Sequence, residues 1–263
     1  EFLYYRSRGY PTLEAIENVL RRVASIFEGK PVVVRAPDLG ADKPLPYLEL
    51  REPNPALGTR GIRLLLEYRK ELLQPFLTAF LKAFTKNRNL RLLLPLVTKA
   101  SEVREVEEEL DKLIKLNNLS VTLENVNLGI MVETPASAIG LDLLAKASSI
   151  KFISIGTNDL AQYVLAADRA NSRVSSIYDD MDPSVLRLVA ETVRRAESIG
   201  INDIEVCGEI AGRQLALPIL LGFGIKAFSI NPHLTGIIKY TINYLSLEDS
   251  KKLALEALNS IDG

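Results

Sequence analysis

A chain of 263 residues, 47% apolar and 25% charged, has room for one large domain of the α/β-barrel size or two small ones. Its 32 Lys/Arg against 33 Asp/Glu leave a net charge of −1, which excludes a strongly basic nucleic-acid surface but not a local basic pocket. One cysteine excludes an intrachain disulfide and fits a reducing cytoplasm, no apolar run reaches the ~20 residues of a membrane span, and no signal-peptide pattern opens the chain.

In chain order, Leu13, Ile16, Val19, Leu20, Val23 and Ile26 recur at helical spacing. Pro31–Ala36 (PVVVRA) reads as a buried strand. Residues 38–60 form the longest stretch without periodicity, rich in Pro and charge, as a functional or mobile loop is. A helix is expected after Arg60, with Arg63 and Arg69 on a solvated face. Leu90–Val97 reads as the second strand. Ser101–Leu116 repeats Val103, Val106, Leu110, Leu113 and Ile114 at helical spacing. Leu128–Glu133, Phe152–Ile155, Ile204–Cys207 and Ala227–Ile230 complete six short apolar runs of the kind that parallel strands covered on both faces require. Asp182-Pro183 has the N-cap and first-position pattern of a helix that Gly200 ends. Two further helices are expected over residues 232–245 and 247–258. Alternating strands and helices predict a parallel sheet, and their number favours a TIM-type (β/α)8 barrel over an open sheet. No glycine-rich dinucleotide fingerprint follows a strand.

In such a barrel the chemistry gathers at the C-terminal ends of the strands. Here those ends carry Arg35, Glu133, Asn158 with Asp159, and Cys207; Arg91 lies within its strand, Arg60 follows the long loop, and Arg169 closes AADR. Two carboxylates from different strand ends suit one Mg²⁺, with substrate oxygens completing its shell. Arginines suit phosphate and carboxylate, and the backbone of Gly156-Thr157 suits an oxyanion. Each residue also has a structural reading. A strand-end Arg or Asp is commonly a salt bridge, a lone Cys is commonly a small core residue, Glu133-Thr134-Pro135 can cap the next helix, and His233 in NPH reads as a turn or helix start.

Several stretches, in order, resemble one family: EFLYY, VRAPDLGADK, NPALGTRGIR, LRLLLPLV, IMVETPASA, SIGTNDLAQYVLAADR, MDPSV and VCGEIAG, from the first residue to Gly212. The chain is similar to the C-terminal phosphoenolpyruvate-binding barrel shared by phosphoenolpyruvate synthase, pyruvate phosphate dikinase and enzyme I of the bacterial sugar phosphotransferase system. The CGE and GADKPLPY stretches are nearest to enzyme I and synthase-type barrels. The resemblance implies a single domain over residues 1–263 that binds phosphoenolpyruvate or pyruvate. Arg35 and Arg60 would hold the phosphoryl group, and Arg91 would be a further pocket arginine. Glu133 and Asp159 would bind Mg²⁺. Gly156, Thr157 and Asn158 would contact the substrate, as would Arg169. Cys207 would move a proton at the substrate methyl carbon.

The chain departs from the family in four ways, one being that its LLLPLV run replaces a more Met/Phe-rich version. It holds no phosphohistidine or nucleotide-binding domain, and His233 stands in no matching motif, so the phosphohistidine is expected on a separate chain. Ala36 replaces a threonine. EFLYY corresponds to the end of the second barrel strand, so the barrel is expected to lack its first strand in this sequence. The function implied is phosphoryl transfer between phosphoenolpyruvate and that histidine, by a cytoplasmic homodimer without nucleic-acid or membrane partners. A stand-alone metal-dependent lyase or aldolase working through a pyruvate enolate, and a phosphoenolpyruvate sensor, are the alternatives.

Overall fold

The computed structural model describes residues 1–7 and 9–260 and divides into two compact units. The first comprises Glu1–Ile130 with Ala147–Lys151, the second Met131–Lys146 with Phe152–Gly263. Their secondary structure is that of an α/β protein of the TIM type, with parallel strands alternating with helices.

The first unit opens with a five-residue helix, α1 (Phe2–Arg6), and α2 (Leu13–Ile26). The family resemblance reads EFLYY as the end of a strand. Instead the Tyr4 and Tyr5 amides donate to the Glu1 carbonyl, so its hydrogen bonds close locally in a turn rather than across a ladder. Thr12 caps α2, its hydroxyl accepting from the Ala15 N–H at 3.2 Å, and Ile16, Leu20 and Ala24 form the buried stripe. Strand β1 (Val32–Arg35) pairs in parallel with β2 (Leu90–Leu94), Arg35 opposite Leu93. β2 pairs in parallel with β3 (Leu128–Val132) through Leu92–Leu128, Leu93–Gly129 and Leu94–Ile130. β2 stops three residues before the apolar run LRLLLPLV ends. Pro95 has no N–H to give a ladder, and Leu96 takes φ +52°, which turns the chain out of the sheet.

Between β1 and β2 come the long loop and then α3 (Ile62–Glu67), a π-helical turn over Arg69–Leu73, and α4 (Gln74–Lys86). Leu64, Leu65, Leu72, Leu73, Leu77, Phe80 and Leu81 are fully buried there. α5 (Ala100–Leu116) follows β2. Arg63 is not on a solvated face. It donates to the Leu57 and Gly58 carbonyls and the Thr98 hydroxyl at 3.1–3.2 Å, tying the long loop to the start of α5. Arg69 pairs with Glu105 at 2.6 Å across to α5, so it too has a partner its own helix does not supply.

The second unit holds α6 (Pro135–Ile139), α7 (Leu141–Lys146), β4 (Phe152–Gly156), α8 (Thr157–Val164), α9 (Pro183–Ser198), β5 (Ile204–Cys207), α10 (Ala216–Gly222), β6 (Ala227–Phe228), α11 (Thr235–Asn243) and α12 (Leu247–Asn259). β4 pairs in parallel with β5, Gly156 opposite Cys207, and β5 with β6. α9 starts as the sequence reads: the Asp182 carboxylate accepts the Ser184 N–H at 2.8 Å, Pro183 is the first helical residue, and Gly200 lies beyond the end at φ +83°. The helix expected over 232–245 is a 3₁₀ turn, Pro232–Leu234, running into α11, and His233 is an exposed turn residue. Among the described residues no helix is long and apolar enough to cross a membrane.

Candidate functional site

In the first unit the charges gather where β1 runs into the long loop. Arg35 is the last residue of β1, and three residues later Asp38 is 1% exposed. The loop returns Arg60 to this point through an antiparallel bridge to Gly40. That approach requires glycine: a Cβ on Gly40 would lie 2.4 Å from the Arg60 Cβ. Gly61, at φ +56°, then turns the chain into α3, its N–H donating to the Leu39 carbonyl. Arg60 is 1% exposed, and its Nη2 stands 3.3 and 3.1 Å from the two Asp38 oxygens while Nη1 stands 3.2 Å from Asp42. Lys43 donates to Asp38, Arg35 Nη1 lies 3.8 Å from it, and Arg35 Nη2 lies 2.8 Å from Glu1.

Burial pushes the Asp38 carboxyl up, but the nearby charges of Arg60, Lys43 and Arg35 overcome it and hold the group below the usual carboxylate range. For the less surrounded Asp42 burial prevails over Arg60 and Lys43, and its carboxyl is pushed up. Arg91 is not at this strand end. It faces Val33 in the register, two residues before Arg35 and so roughly 7 Å nearer the start of the strands.

In the second unit the GTND segment joins β4 to α8 and is buried except for a half-buried Asn158. Gly156 gives Glu133 its room: a Cβ there would sit 2.7 Å from Glu133 Oε2. Glu133 is 2% exposed, and the next residue, Thr134, caps α6, its hydroxyl accepting the Ser137 N–H at 3.1 Å. Asp159, buried in the first turn of α8, has Arg169 Nη2 at 3.8 Å. The Arg169 N–H donates to Gln162 at 3.1 Å, which fixes where that arginine leaves the backbone.

Thr157 donates to the Cys207 carbonyl at 2.8 Å, so its hydroxyl binds β4 to β5. Asn158 Oδ1 accepts the Glu209 N–H at 2.9 Å, which leaves its NH₂ as the end directed elsewhere. Gly208 makes this closeness possible, with φ +99° and an added Cβ at 2.2 Å from Thr157 Oγ1. The half-buried Cys207 thiol lies 3.5 Å from both the Ser154 hydroxyl and the Ile155 carbonyl, in polar surroundings that a packing cysteine does not need.

The second unit therefore brings Glu133, Gly156, Thr157, Asn158, Asp159, Arg169 and Cys207 together at the ends of β3, β4 and β5. A cavity of about 460 Å³ adjoins them, lined by Asn158, Gly208, Glu209, Arg213, Asn231 and His233 among others. Residues 1–247 match the family model of the PEP-utilising enzymes' PEP-binding domain. The chain belongs to that family.

The chain is 42% identical over 262 residues to a phosphoenolpyruvate-protein phosphotransferase of Listeria monocytogenes, covering 98% of this chain and 45% of that protein. It is 42% identical over 236 residues to the Bacillus subtilis protein of the same name, covering 88% and 40%. Against a phosphoenolpyruvate-dependent phosphotransferase system protein of Salmonella typhimurium the identity is 37% over 262 residues, covering 99% and 34%. The domain thus spans less than half the length of these relatives. Among solved structures, an HpcH/HpaI aldolase/citrate lyase family protein of Burkholderia cenocepacia shares the fold at TM-score 0.51 and 13% identity, covering 91% of this chain and 80% of that one.

Three residues at these strand ends escape sequence reading: Asp38, Tyr178 and Arg213. A carboxylate in a Pro-rich loop reads as solvated, yet Asp38 is buried among cations. Tyr178 donates to the Asn158 carbonyl at 3.3 Å from 20 residues away, and burial, ahead of Asp180, pushes its hydroxyl up to about 12. Arg213 reaches the buried Asp180 at 2.9 Å. Neither contact leaves a local pattern in the sequence.

Proposed function

We propose that this domain binds phosphoenolpyruvate with Mg²⁺ and serves phosphoryl transfer between phosphoenolpyruvate and a histidine outside these 263 residues. The observation that carries the reading is the match of residues 1–247 to a PEP-binding domain. Relatives named phosphoenolpyruvate-protein phosphotransferase support the reaction class.

Arg35 and Arg60 take the phosphoryl group. Their guanidiniums offer planar, forked donors, and that of Arg60 is already out of water. Glu133 and Asp159 hold the Mg²⁺: both are buried hard-oxygen donors, and the missing Cβ of Gly156 leaves space beside Glu133. The ion supplies charge neutralisation at the phosphate and carboxylate oxygens.

Asn158 and the Gly156-Thr157 backbone orient the substrate, and Arg169 adds a cation beside Asp159. Arg91, set back along β2, serves as a further pocket arginine. Cys207 moves the proton at the methyl carbon as pyruvate forms or is consumed. The protein acts in the cytoplasm as a homodimer, which sedimentation equilibrium tests.

Titration calorimetry tests the central reading. Phosphoenolpyruvate is expected to bind in Mg²⁺ and to lose that dependence in Glu133→Ala and Asp159→Ala. Full-strength binding in EDTA would remove the metal assignment. No binding with or without Mg²⁺ would remove the function.

A further inference from the structure

We propose that Asp38 is a positioning residue, the buried hub that sets the guanidiniums of Arg35 and Arg60 and the ammonium of Lys43 into one fixed cradle for a phosphoryl group. The inference rests on the phosphoenolpyruvate reading above and adds a residue that reading does not use.

Three cations meet one carboxylate. Asp38 is 1% exposed, Arg60 Nη2 stands 3.3 and 3.1 Å from its two oxygens, Lys43 donates to Oδ2, and Arg35 Nη1 is 3.8 Å from the same oxygen. The Asp38 N–H also donates to Glu1 Oε1 at 3.1 Å, and the same oxygen holds Arg35 Nη2 at 2.8 Å. Arg35 is thereby hydrogen-bonded at Nη2 and stands within ion-pair range of Asp38 at Nη1. Arg60 is gripped on both Nη atoms, by Asp38 and Asp42.

The charge count sharpens the argument. In the pairings described above, the three positive charges of Arg35, Lys43 and Arg60 stand against the three negative charges of Glu1, Asp38 and Asp42. What this arrangement offers a phosphoryl group is fixed donor direction, because an arginine fork already held in place loses less rotamer freedom when it takes an oxyanion. The two roles predict opposite signs. If Asp38 were only a nearby negative charge, removing it would tighten anion binding. If it positions the cations, removing it weakens binding.

The test uses the full chain with ¹⁵N-labelled arginine. Without ligand, the wild type is expected to show discrete, slowly rotating guanidinium resonances for Arg60, assigned by their loss in Arg60→Lys. In Asp38→Asn they are expected to collapse, and the dissociation constant of phosphoenolpyruvate in Mg²⁺ to rise on the order of 10- to 100-fold, the range of a charge-assisted hydrogen bond. Should Asp38→Asn not fold, Asp38→Glu keeps the charge and moves the carboxylate by one methylene. Positioning then predicts weaker binding, and a pure charge role predicts no change. Unchanged Arg60 resonances, or equal or tighter binding in the folded variant, would overturn the proposal. If the wild type binds no phosphoenolpyruvate at all, the functional reading fails, and the ligand-free resonances still decide the role of Asp38.

Discussion

At the residue scale the sharpest question is Cys207. A thiol after an apolar strand reads as a small core residue, and only the family resemblance makes it a catalyst. The structure places it half-buried, with a hydroxyl and a carbonyl 3.5 Å from sulfur. A core role predicts a modest stability loss in Cys207→Ala and unchanged chemistry. The acid/base role predicts normal folding and binding, with deuterium exchange into the pyruvate methyl group in heavy water with Mg²⁺ falling by about 10²–10⁴-fold. The assay includes inorganic phosphate to occupy the phosphoryl position. Exchange that survives unchanged in the variant returns Cys207 to the core. Gly208, next in sequence, tests the support beneath it. At φ +99°, with Thr157 Oγ1 2.2 Å from an added Cβ, Gly208→Ala is expected to cost at least about 1–3 kcal/mol by chemical denaturation. An unchanged denaturation midpoint would show that the turn relaxes without it.

At the scale of elements, patterns that close within one turn of chain were legible. The Thr12 cap, the apolar stripe of α2, the Asp182-Pro183 start of α9 and the Gly200 stop all follow from hydrogen bonds and dihedrals fixed a few residues away. Thr12→Ala is accordingly expected to cost about 1 kcal/mol and Thr12→Ser to recover most of it, by thermal or urea unfolding. Equal losses in both would mean that Thr12 packs rather than caps. Where the pattern misled, a different local rule prevailed. Pro95 and Leu96 end β2 within an unbroken apolar run. EFLYY closes its amides in a helical turn. Arg63 lies on a helix but bonds to residues 5 to 35 positions away, a distance that helical periodicity does not encode, whereas Arg69 stays on the solvated face beside Glu105.

At the scale of the whole molecule, burial of charge sets the response to pH. Asp38 has a folded value below the ordinary 3.8, because Arg60, Lys43 and Arg35 outweigh its burial. Its contribution to stability is therefore present above the unfolded value and is lost as pH falls through the lower, folded one. Asp180 behaves oppositely. It is fully buried, and burial outweighs Arg213, so its folded value lies above the ordinary one. Its ionised form costs stability at neutral pH, and that cost is relieved as pH falls through the raised value. Asp180→Asn is thus expected to gain on wild type at pH 7 and to lose that gain by pH 4, read as the difference in Tm across pH. A constant difference would show that Asp180 and Arg213 compensate each other. The single histidine supplies a second test. His233 stands in no phosphohistidine motif, so incubation with phosphoenolpyruvate and Mg²⁺ is expected to leave no phosphohistidine signal in ³¹P spectra of this chain. A stable signal would place the acceptor within the 263 residues.

The sequence by itself determined the alternation of parallel strands and helices, the family, and which strand ends carry polar groups. Apolar runs and caps are local, and the motifs GTND, VETP and CGE are contiguous. Only the tertiary structure decided which polar groups meet. It set Thr157 and Asn158 against the turn after Cys207, placed Arg91 below the strand end that holds Arg35, and buried Asp38 among three cations. The pairings of Asp38 with Arg60, Thr157 with Cys207, Asn158 with Glu209 and Val33 with Arg91 cross 22 to 58 residues of chain, and glycines at positions 40, 61, 156 and 208 permit the close approaches around them. A carboxylate in a loop is the same letter whether water or three cations surround it, and the difference lies in desolvation, which no stretch of sequence displays.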